Sequence, residues 1–314
     1  MKIVFLDVKT IGEDLDLSGF NCLGEVVKYP FSTPSEIPER VADADVIVLN
    51  KVRICEETIW TASNLKLVCV TGTGTNNLDK EYLQNRGVTW RNVAGYSTES
   101  VAQHTFAMLF YLLEKLRYYD DYVKEGRYIC DTSFTHFEEH FHELNGKTWG
   151  IIGLGNIGRR VASVAGAFGV HVIYTSPSGS PPQPGYRRTD MDTLLGTSDI
   201  ISIHAPLNQF TENLIDIKAF QKMKPSCIFL NLGRGAIVIE QDLADALDRH
   251  MIAAAGLDVL REEPILPDNP LLKIKDRGRI FITPHVAWAS VEARTRLMEI
   301  ILQQIKDFFC LSSL

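Results

Sequence analysis

The chain has 314 residues, 45% of them hydrophobic, and a formal net charge of −7. That is enough apolar material for a sizeable core shared by two domains, and the negative charge argues against nucleic acid or an anionic membrane as the main partner. No apolar run approaches the roughly 18 residues of a membrane-spanning helix. The opening MKIVFLDV enters a strand directly and has none of a signal peptide's regions, so a cytoplasmic location is expected. Six cysteines (Cys22, Cys55, Cys69, Cys130, Cys227 and Cys310) are scattered, with no C-x-x-C and no metal-ligand spacing. They read as reduced, mostly buried thiols, and no metal is expected.

Short strand-like runs at Lys2–Val8, Glu25–Tyr29, Val46–Asn50, Leu67–Val70 and Val88–Asn92 alternate with helical stretches at Glu36–Ala44, Glu56–Ala62 and Asp79–Asn85. Such alternation predicts a small parallel α/β domain. After the fourth strand comes Thr71-Gly72-Thr73-Gly74-Thr75. Its amides and hydroxyls have the chemistry to hold a carboxylate, although a plain glycine-rich turn explains it equally well.

From Ser97 the pattern changes. Ser97 or Thr98 is placed to cap a long helix, in which Ala102, Thr105, Leu109, Leu112, Leu113 and Leu116 share one stripe. His104 on this helix reads as a packing residue. The polar, aromatic segment Tyr118–Asn145 follows, read as the crossing between domains. Within it, His136-Phe137-Glu138-Glu139-His140 fits the H-x-x-E-H metalloprotease pattern. Aromatics interrupt the helix this pattern needs and no third ligand follows, so the segment reads as a surface or interface loop.

Residues 148–176 then form strand, turn, helix and strand. Trp149–Ile152 is the apolar run of a strand buried on both faces, and it leads into Gly153-Leu154-Gly155-Asn156-Ile157-Gly158. In this G-x-G-x-x-G spacing the first glycine makes the sharp turn and the second lets a pyrophosphate approach the backbone. The third lets the helix pack on its strand. The helix is expected to turn Ile157, Val161, Val164, Ala165 and Phe168 to one face, and its first amides, Asn156 and Ile157 among them, to hold a diphosphate. Gly169 ends it before the strand Val170–Tyr174. An NAD site commonly carries an acidic residue about 20 residues on for the ribose hydroxyls. Thr175 and Ser176 stand there instead, no arginine directly follows, and the choice between NAD and NADP stays open.

After the loop SPSGSPPQPG come strands at Asp199–His204, Cys227–Leu232, Ile252–Val259 and Arg279–Thr283, with helical stretches Met191–Leu195, Ile217–Lys222 and Glu240–Arg249 between them. With the two strands of the nucleotide motif this makes six, the count of a doubly wound parallel Rossmann sheet. An amphipathic helix from Ser290 closes the chain and is expected to return to the first domain. The division expected is a substrate-binding domain of 1–97 with 290–314, and a dinucleotide-binding domain of 98–289.

Ligands of such sheets bind beyond the carboxyl ends of the strands. Arg234 sits there between two glycines, and a guanidinium grips a carboxylate through paired hydrogen bonds. Asp258 ends the next strand, with Glu263 shortly after, and His285 follows the last. A histidine oriented by a glutamate makes an acid–base pair suited to neutral pH. His204, with Ala205 and Pro206, ends another strand, where a place beside the cofactor suits it. Leu232 and Gly233, just before Arg234, belong with that group.

The segments NLGRG at 231–235, AAGLDVLREEP at 254–264 and ITPHVAWAS at 282–290, together with GLGNIG and HAPL, resemble the D-2-hydroxyacid dehydrogenase family over nearly the whole chain. The resemblance implies the Rossmann domain, a smaller, discontinuous flavodoxin-like domain, and a cleft that closes over nicotinamide and a small 2-keto acid. A homodimer is expected on other grounds: the long apolar stripe from Ala102 to Leu116 and the aromatic arm Phe134–Phe141 exceed what one small domain needs to cover. The resemblance implies that Arg234 binds the substrate carboxylate and orients its carbonyl, that His285 donates the proton, and that Glu263 hydrogen-bonds His285 and favours its protonated form. Asp258 would meet the nicotinamide carboxamide, and the amides of Thr73, Gly74 and Thr75 would bind the substrate carboxylate. TGTGTNNLD and PHVAWAS are most similar to glycerate dehydrogenases, also called hydroxypyruvate reductases. The tail FFCLSSL departs from the family's usual ending. A rival of another class is a nucleotide-sensing interaction protein, like the family's co-repressors.

Overall fold

The computed structural model describes residues 1–179 and 181–311, so Ser180 of the SPSGSPPQPG loop and the last three residues of the FFCLSSL tail lie outside it. The chain divides into two compact units, Met1–Ser97 with Trp288–Leu314, and Thr98–Ala287.

The first unit is a parallel sheet of β1 (Lys2–Phe5), β2 (Glu25–Lys28), β3 (Val46–Leu49), β4 (Leu67–Val70) and β5 (Thr89–Arg91), in the order β2-β1-β3-β4-β5. This is the flavodoxin-like order. Helices α1 (Ile37–Arg40), α2 (Glu56–Ile59) and α3 (Lys80–Asn85) are shorter than the stretches that announce them. Every residue of β3 and β4 is buried. Alternate side chains of a strand point to opposite faces, and two cores result. Ile3, Phe5, Val46, Val48, Leu67 and Cys69 pack with Leu297, Ile301 and Ile305 of the C-terminal helix (Val291–Phe308). Val4, Leu6, Ile47, Leu49, Val68 and Val70 pack under the short helices, with Ile37, Ile59 and Leu83.

The second unit opens with α4 (Thr98–Leu113) and α5 (Leu116–Lys124). The single long helix expected from the stripe is therefore two. Lys115 takes the left-handed conformation (φ 55°), which breaks the run, and Leu116 turns outward at 49% exposure. The buried stripe ends at Leu112. The aromatic segment that follows has only a 3-10 turn at Arg127–Cys130. Residues 136–140 form no helix. His136 instead stacks on Tyr122 at 3.8 Å and bonds the Tyr118 hydroxyl at 2.8 Å. Ile129, Phe134 and Phe137 are strongly exposed around a concavity of about 530 Å³ lined by Tyr119, Tyr122, Tyr128 and Phe141 among others.

The sheet of this unit has seven parallel strands: β6 (Thr148–Ile152), β7 (His171–Thr175), β8 (Arg187–Arg188), β9 (Ile200–Ile203), β10 (Ile228–Asn231), β11 (Ala254–Leu257) and β12 (Ile280–Ile282). Their order is β12-β11-β10-β9-β6-β7-β8, with the reversal between β6 and β9 where a doubly wound sheet binds its ligand. Six strands were expected. The seventh is a two-residue edge of exposed arginines, with no apolar signal to announce it. Helices α6 (Asn156–Ala167), α7 (Met191–Thr197), α8 (Ile217–Lys222) and α9 (Glu240–Asp248) make the crossovers. The buried face of α6 is Gly158, Val161, Ala162 and Ala165, while Phe168 lies past the last turn, half-exposed against Phe106 and Phe110. All six cysteines are free, but only Cys55, Cys69 and Cys227 are buried, fewer than expected. No described helix is long and apolar enough to cross a membrane.

Gly150 lies mid-way along the central strand β6, where an added Cβ would stand 2.4 Å from Ser198 Oγ and 2.7 Å from Leu194 Cγ, both buried. Overpacking of this kind costs about 1–3 kcal/mol. Gly150→Ala should therefore lower the midpoint of thermal unfolding, and an unchanged midpoint would show that α7 yields freely.

Candidate active site

The turn after β6 is built by its glycines. Gly153 has φ 93°, and a Cβ on it would lie 2.7 Å from Ala205 Cα. A Cβ on Gly158 would stand 2.3 Å from Gly153 O, so α6 sits directly on the turn. At Gly155 a Cβ would meet nothing within 4 Å, which leaves that backbone approachable. No side chain caps α6, and its first hydrogen bond runs from Arg159 N to Gly155 O at 2.9 Å. The amides of Asn156 and Ile157 thus stand at the positive end of the helix, in an arrangement that fits a diphosphate.

Thr175 ends β7, buried, with its carbonyl accepting from Gly153 N at 2.9 Å. No carboxylate takes its place, but a cation, Arg188, stands beside it. Arg188 pairs with Tyr174 across the β7–β8 ladder and brings Nη2 to 3.5 Å from Ser176 O. Arg159 donates to Asn156 Oδ1 at 2.6 Å.

His204 ends β9. Trp149 Nε1 donates to Ser202 Oγ at 2.9 Å, and Ser202 Oγ lies 3.0 Å from His204 Nε2. Burial drives this imidazole down to about 3, so it is neutral. Although part of the ring reaches the surface, Nδ1 is enclosed and finds no partner among the described residues. Nδ1 is thus an unmatched polar atom at the point where the strand order reverses. Ala205 packs on Gly153, and Pro206 O accepts the Thr211 hydroxyl at 2.7 Å.

At the end of β10 the buried Asn231 holds the turn from both sides. Its Oδ1 accepts from Gly233 N at 3.1 Å and its Nδ2 donates to Arg234 O at 3.0 Å. Leu232 is buried beneath. Arg234 is half-buried and donates to Gly233 O at 2.8 Å. A Cβ on Gly235 would fall 1.9 Å from Leu260 C, so this turn lies against the chain that leads from β11 to Glu263. Glu263, which precedes a cis proline, accepts from Leu260 N at 3.1 Å through Oε1. Its Oε2 lies 2.7 Å from Nδ1 of His285. A carboxylate accepts, so Nδ1 carries the hydrogen and Nε2 is the nitrogen left for a reactant. Asp258 is buried; its Oδ1 accepts from Thr283 Oγ1 at 2.6 Å and Val286 N at 2.9 Å, and its Oδ2 from Ala287 N at 3.0 Å.

The structure thus gathers Arg234, Asp258, Glu263 and His285 at the carboxyl ends of three adjacent strands, with Glu263 and His285 in contact. His104 is more than a packing residue: its Nε2 lies 3.0 Å from Thr283 Oγ1. No local motif marks it, because its partner is 179 residues away. Thr283 carries no local mark either, its carboxylate partner lying 25 residues away, and Arg188 sits on the two-residue edge strand that no apolar pattern announces. In the other unit, the Thr73 hydroxyl is spent on Val93 O at 3.0 Å, and Asn92 Nδ2 donates to Thr73 O at 2.7 Å. Among the described residues the amides of Thr73, Gly74 and Thr75 have no acceptor, so amides rather than hydroxyls are what this loop offers an anion.

The family model described as "D-isomer specific 2-hydroxyacid dehydrogenase, NAD binding domain" matches residues 106–287. The chain is 36% identical to the hydroxypyruvate reductase of Blautia hydrogenotrophica, over 98% of this chain and 97% of that protein. It is 35% identical to the glycerate dehydrogenase of Methylorubrum extorquens, over 98% and 94%. Among solved structures, an acyclic imino acid reductase (Bsp5) in complex with NADPH and D-Arg superposes with a TM-score of 0.87 at 30% identity, covering 99% of this chain and 97% of that one. These likenesses support an enzyme that uses NAD or NADP rather than a co-repressor-like interaction protein. With the two parallel sheets and the nucleotide turn, they establish that the chain belongs to the D-isomer-specific 2-hydroxyacid dehydrogenase family.

Proposed function

We propose that the protein reduces a small 2-keto acid, hydroxypyruvate or glyoxylate, to the corresponding 2-hydroxy acid. The observation that carries this reading is the 2.7 Å contact between His285 and Glu263, which follow the two strands next to the one that delivers Arg234. The relatives named hydroxypyruvate reductase and glycerate dehydrogenase favour these substrates over larger ones. Asn156 and Ile157 hold the cofactor diphosphate behind Gly153, Gly155 and Gly158. Thr175 lies at its ribose, and His204, Ala205, Pro206, Leu232 and Gly233 line its course. Asp258 keeps acceptor capacity on Oδ2 for the carboxamide. When bound, the nicotinamide supplies the hydride that the keto carbon receives.

The chain's own residues do the rest. Arg234 pairs with the substrate carboxylate and polarises its carbonyl, and the amides of Thr73, Gly74 and Thr75 are the donors that the other unit offers a carboxylate. His285, protonated on both nitrogens, gives its Nε2 proton to the carbonyl oxygen as the C–O π bond becomes a hydroxyl. The Glu263 carboxylate accepts from Nδ1 and holds the ring oriented for this transfer. Thr175 presents neither the carboxylate that selects NAD nor a repulsion to a 2′-phosphate, and Arg188 adds positive charge nearby, so both cofactors are accepted.

A steady-state panel of 2-keto acids with NADH and with NADPH tests this reading. Hydroxypyruvate or glyoxylate should be reduced with either cofactor; a thousandfold rejection of NADPH would assign the choice to other residues. His285→Ala should lower kcat by about 10²–10⁴-fold with NADH affinity nearly intact, the usual contribution of a positioned general acid. Arg234→Lys keeps the charge but loses the paired geometry, and should impair both KM and kcat. Near-normal reduction by His285→Ala would show that another group gives the proton.

The exposed aromatic segment around Phe134 and Phe137 is the surface on which a second copy packs, making a homodimer. Ile129 and Phe134, 86% and 91% exposed, are too apolar to leave in water without a partner. The six free cysteines fit a reducing compartment, and we place the enzyme in the cytoplasm. Sedimentation should show a dimer at micromolar concentration, broken by Phe134→Asp combined with Phe137→Asp; a stable wild-type monomer would contradict it.

A further inference from the structure

Thr283, two residues before His285, stands between two groups of unequal hydrogen-bonding capacity. Its Oγ1 lies 2.6 Å from Asp258 Oδ1 and 3.0 Å from His104 Nε2. Three donors converge on the Asp258 carboxylate, which can only accept. The single hydroxyl proton of Thr283 therefore goes to Asp258. The Thr283 oxygen is then the acceptor, and His104 must present Nε2–H to it. The same nitrogen stands 3.7 Å from Asp258 Oδ1, so the imidazole edge faces the carboxylate as well as the hydroxyl.

This chain of bonds ends on the backbone that carries His285. Asp258 collects the amides of Val286 and Ala287, on the far side of His285, while its own carbonyl accepts from His285 N at 2.8 Å. His285 itself has φ 54°. The left-handed region is uncommon outside glycine, so the surrounding bonds decide whether a residue is held there. Asp258 supplies that constraint, and His104 and Thr283 fix Asp258.

We propose that His104 is a positioning residue of the reaction. In its Nε2–H form it locks the Thr283 hydroxyl onto Asp258, and so holds residues 283–287 in the turn that aims the His285 imidazole. The inference rests on the proposed function, because it takes His285 as the proton donor. His104 touches neither substrate nor cofactor in this role; it acts through Thr283, from a helix remote in sequence.

The test compares His104→Leu, His104→Gln, Thr283→Val, Thr283→Ser and the double variant His104→Leu/Thr283→Val in the full-length protein. Steady-state kcat and KM are measured with hydroxypyruvate, NADH affinity by fluorescence titration, and folding by thermal melts. Misaiming a reacting group by about 1 Å costs on the order of 10²-fold, so His104→Leu should lower kcat by up to about that factor while KM changes little. His104→Gln places an amide N–H near the position of Nε2 and should restore most of the loss. The double variant should be no worse than the poorer single one, since both remove one link. If His104→Leu does not fold, Thr283→Ser against Thr283→Val reads the same link, with activity kept by the first and lost by the second. Wild-type kcat in His104→Leu, equal damage from Gln and Leu, or losses that simply multiply would each overturn the inference. A wild-type enzyme inactive on every 2-keto acid would overturn the functional reading and this inference with it. An active one indifferent to His104→Leu overturns the inference alone.

Discussion

The constraint on which the site depends is the burial of the Asp258 carboxylate. Only 2% of it is exposed. A charge taken out of water has to be compensated by hydrogen bonds, or the fold cannot carry it. Asp258 finds its donors in one short turn, the Thr283 hydroxyl and the amides of Val286 and Ala287. Satisfying one side chain therefore shapes the whole exit from β12. His285 is the residue enclosed by that turn, and Glu263, at the end of an extension from β11, meets its ring from the side. The same logic recurs at β10, where the buried Asn231 bonds both arms of the Arg234 turn. Polar side chains buried at strand ends thus set the backbone paths of the residues proposed to bind and protonate the substrate.

The parallel sheet explains why these residues can cooperate though far apart in the chain. In a doubly wound sheet every strand delivers its following loop to the same edge. Arg234, Glu263 and His285 follow β10, β11 and β12, which are neighbours in the sheet, and Gly153–Gly158 follows β6 at the reversal of strand order. The neutral His204 stands at that reversal too, with its Nδ1 unmatched among the described residues. Such a buried polar atom normally costs about 1–3 kcal/mol when left unpaired, and a polar group of a bound cofactor would relieve it.

Much of this was legible in the residues alone, and what was not has physical reasons. β3, β4 and β6 are unbroken apolar runs that only a covered sheet can use, and they stand where such runs occur. The glycine spacing of residues 153–158 is dictated by close contacts with Ala205 and between Gly153 and Gly158 themselves, so it survives in the sequence as a motif. β8 carries no such mark, because a two-residue arginine edge buries nothing. The break between α4 and α5 is equally silent, since Lys115 is not a residue that announces a left-handed turn. Phe168 follows the helical period but lies beyond the last turn. The link from His104 to Thr283 depends on tertiary placement and has no local pattern to betray it.

The most direct test of the account is kcat and KM for hydroxypyruvate reduction in the wild type and in Glu263→Gln. Glutamine keeps the size and an acceptor for His285 Nδ1 but removes the carboxylate charge beside the ring. A positioned general acid contributes about 10²–10⁴-fold, so kcat should fall at least about tenfold in Glu263→Gln while NADH affinity stays close to wild type. A wild-type kcat in Glu263→Gln would contradict the account, and the proton donor would then lie outside the Glu263–His285 pair.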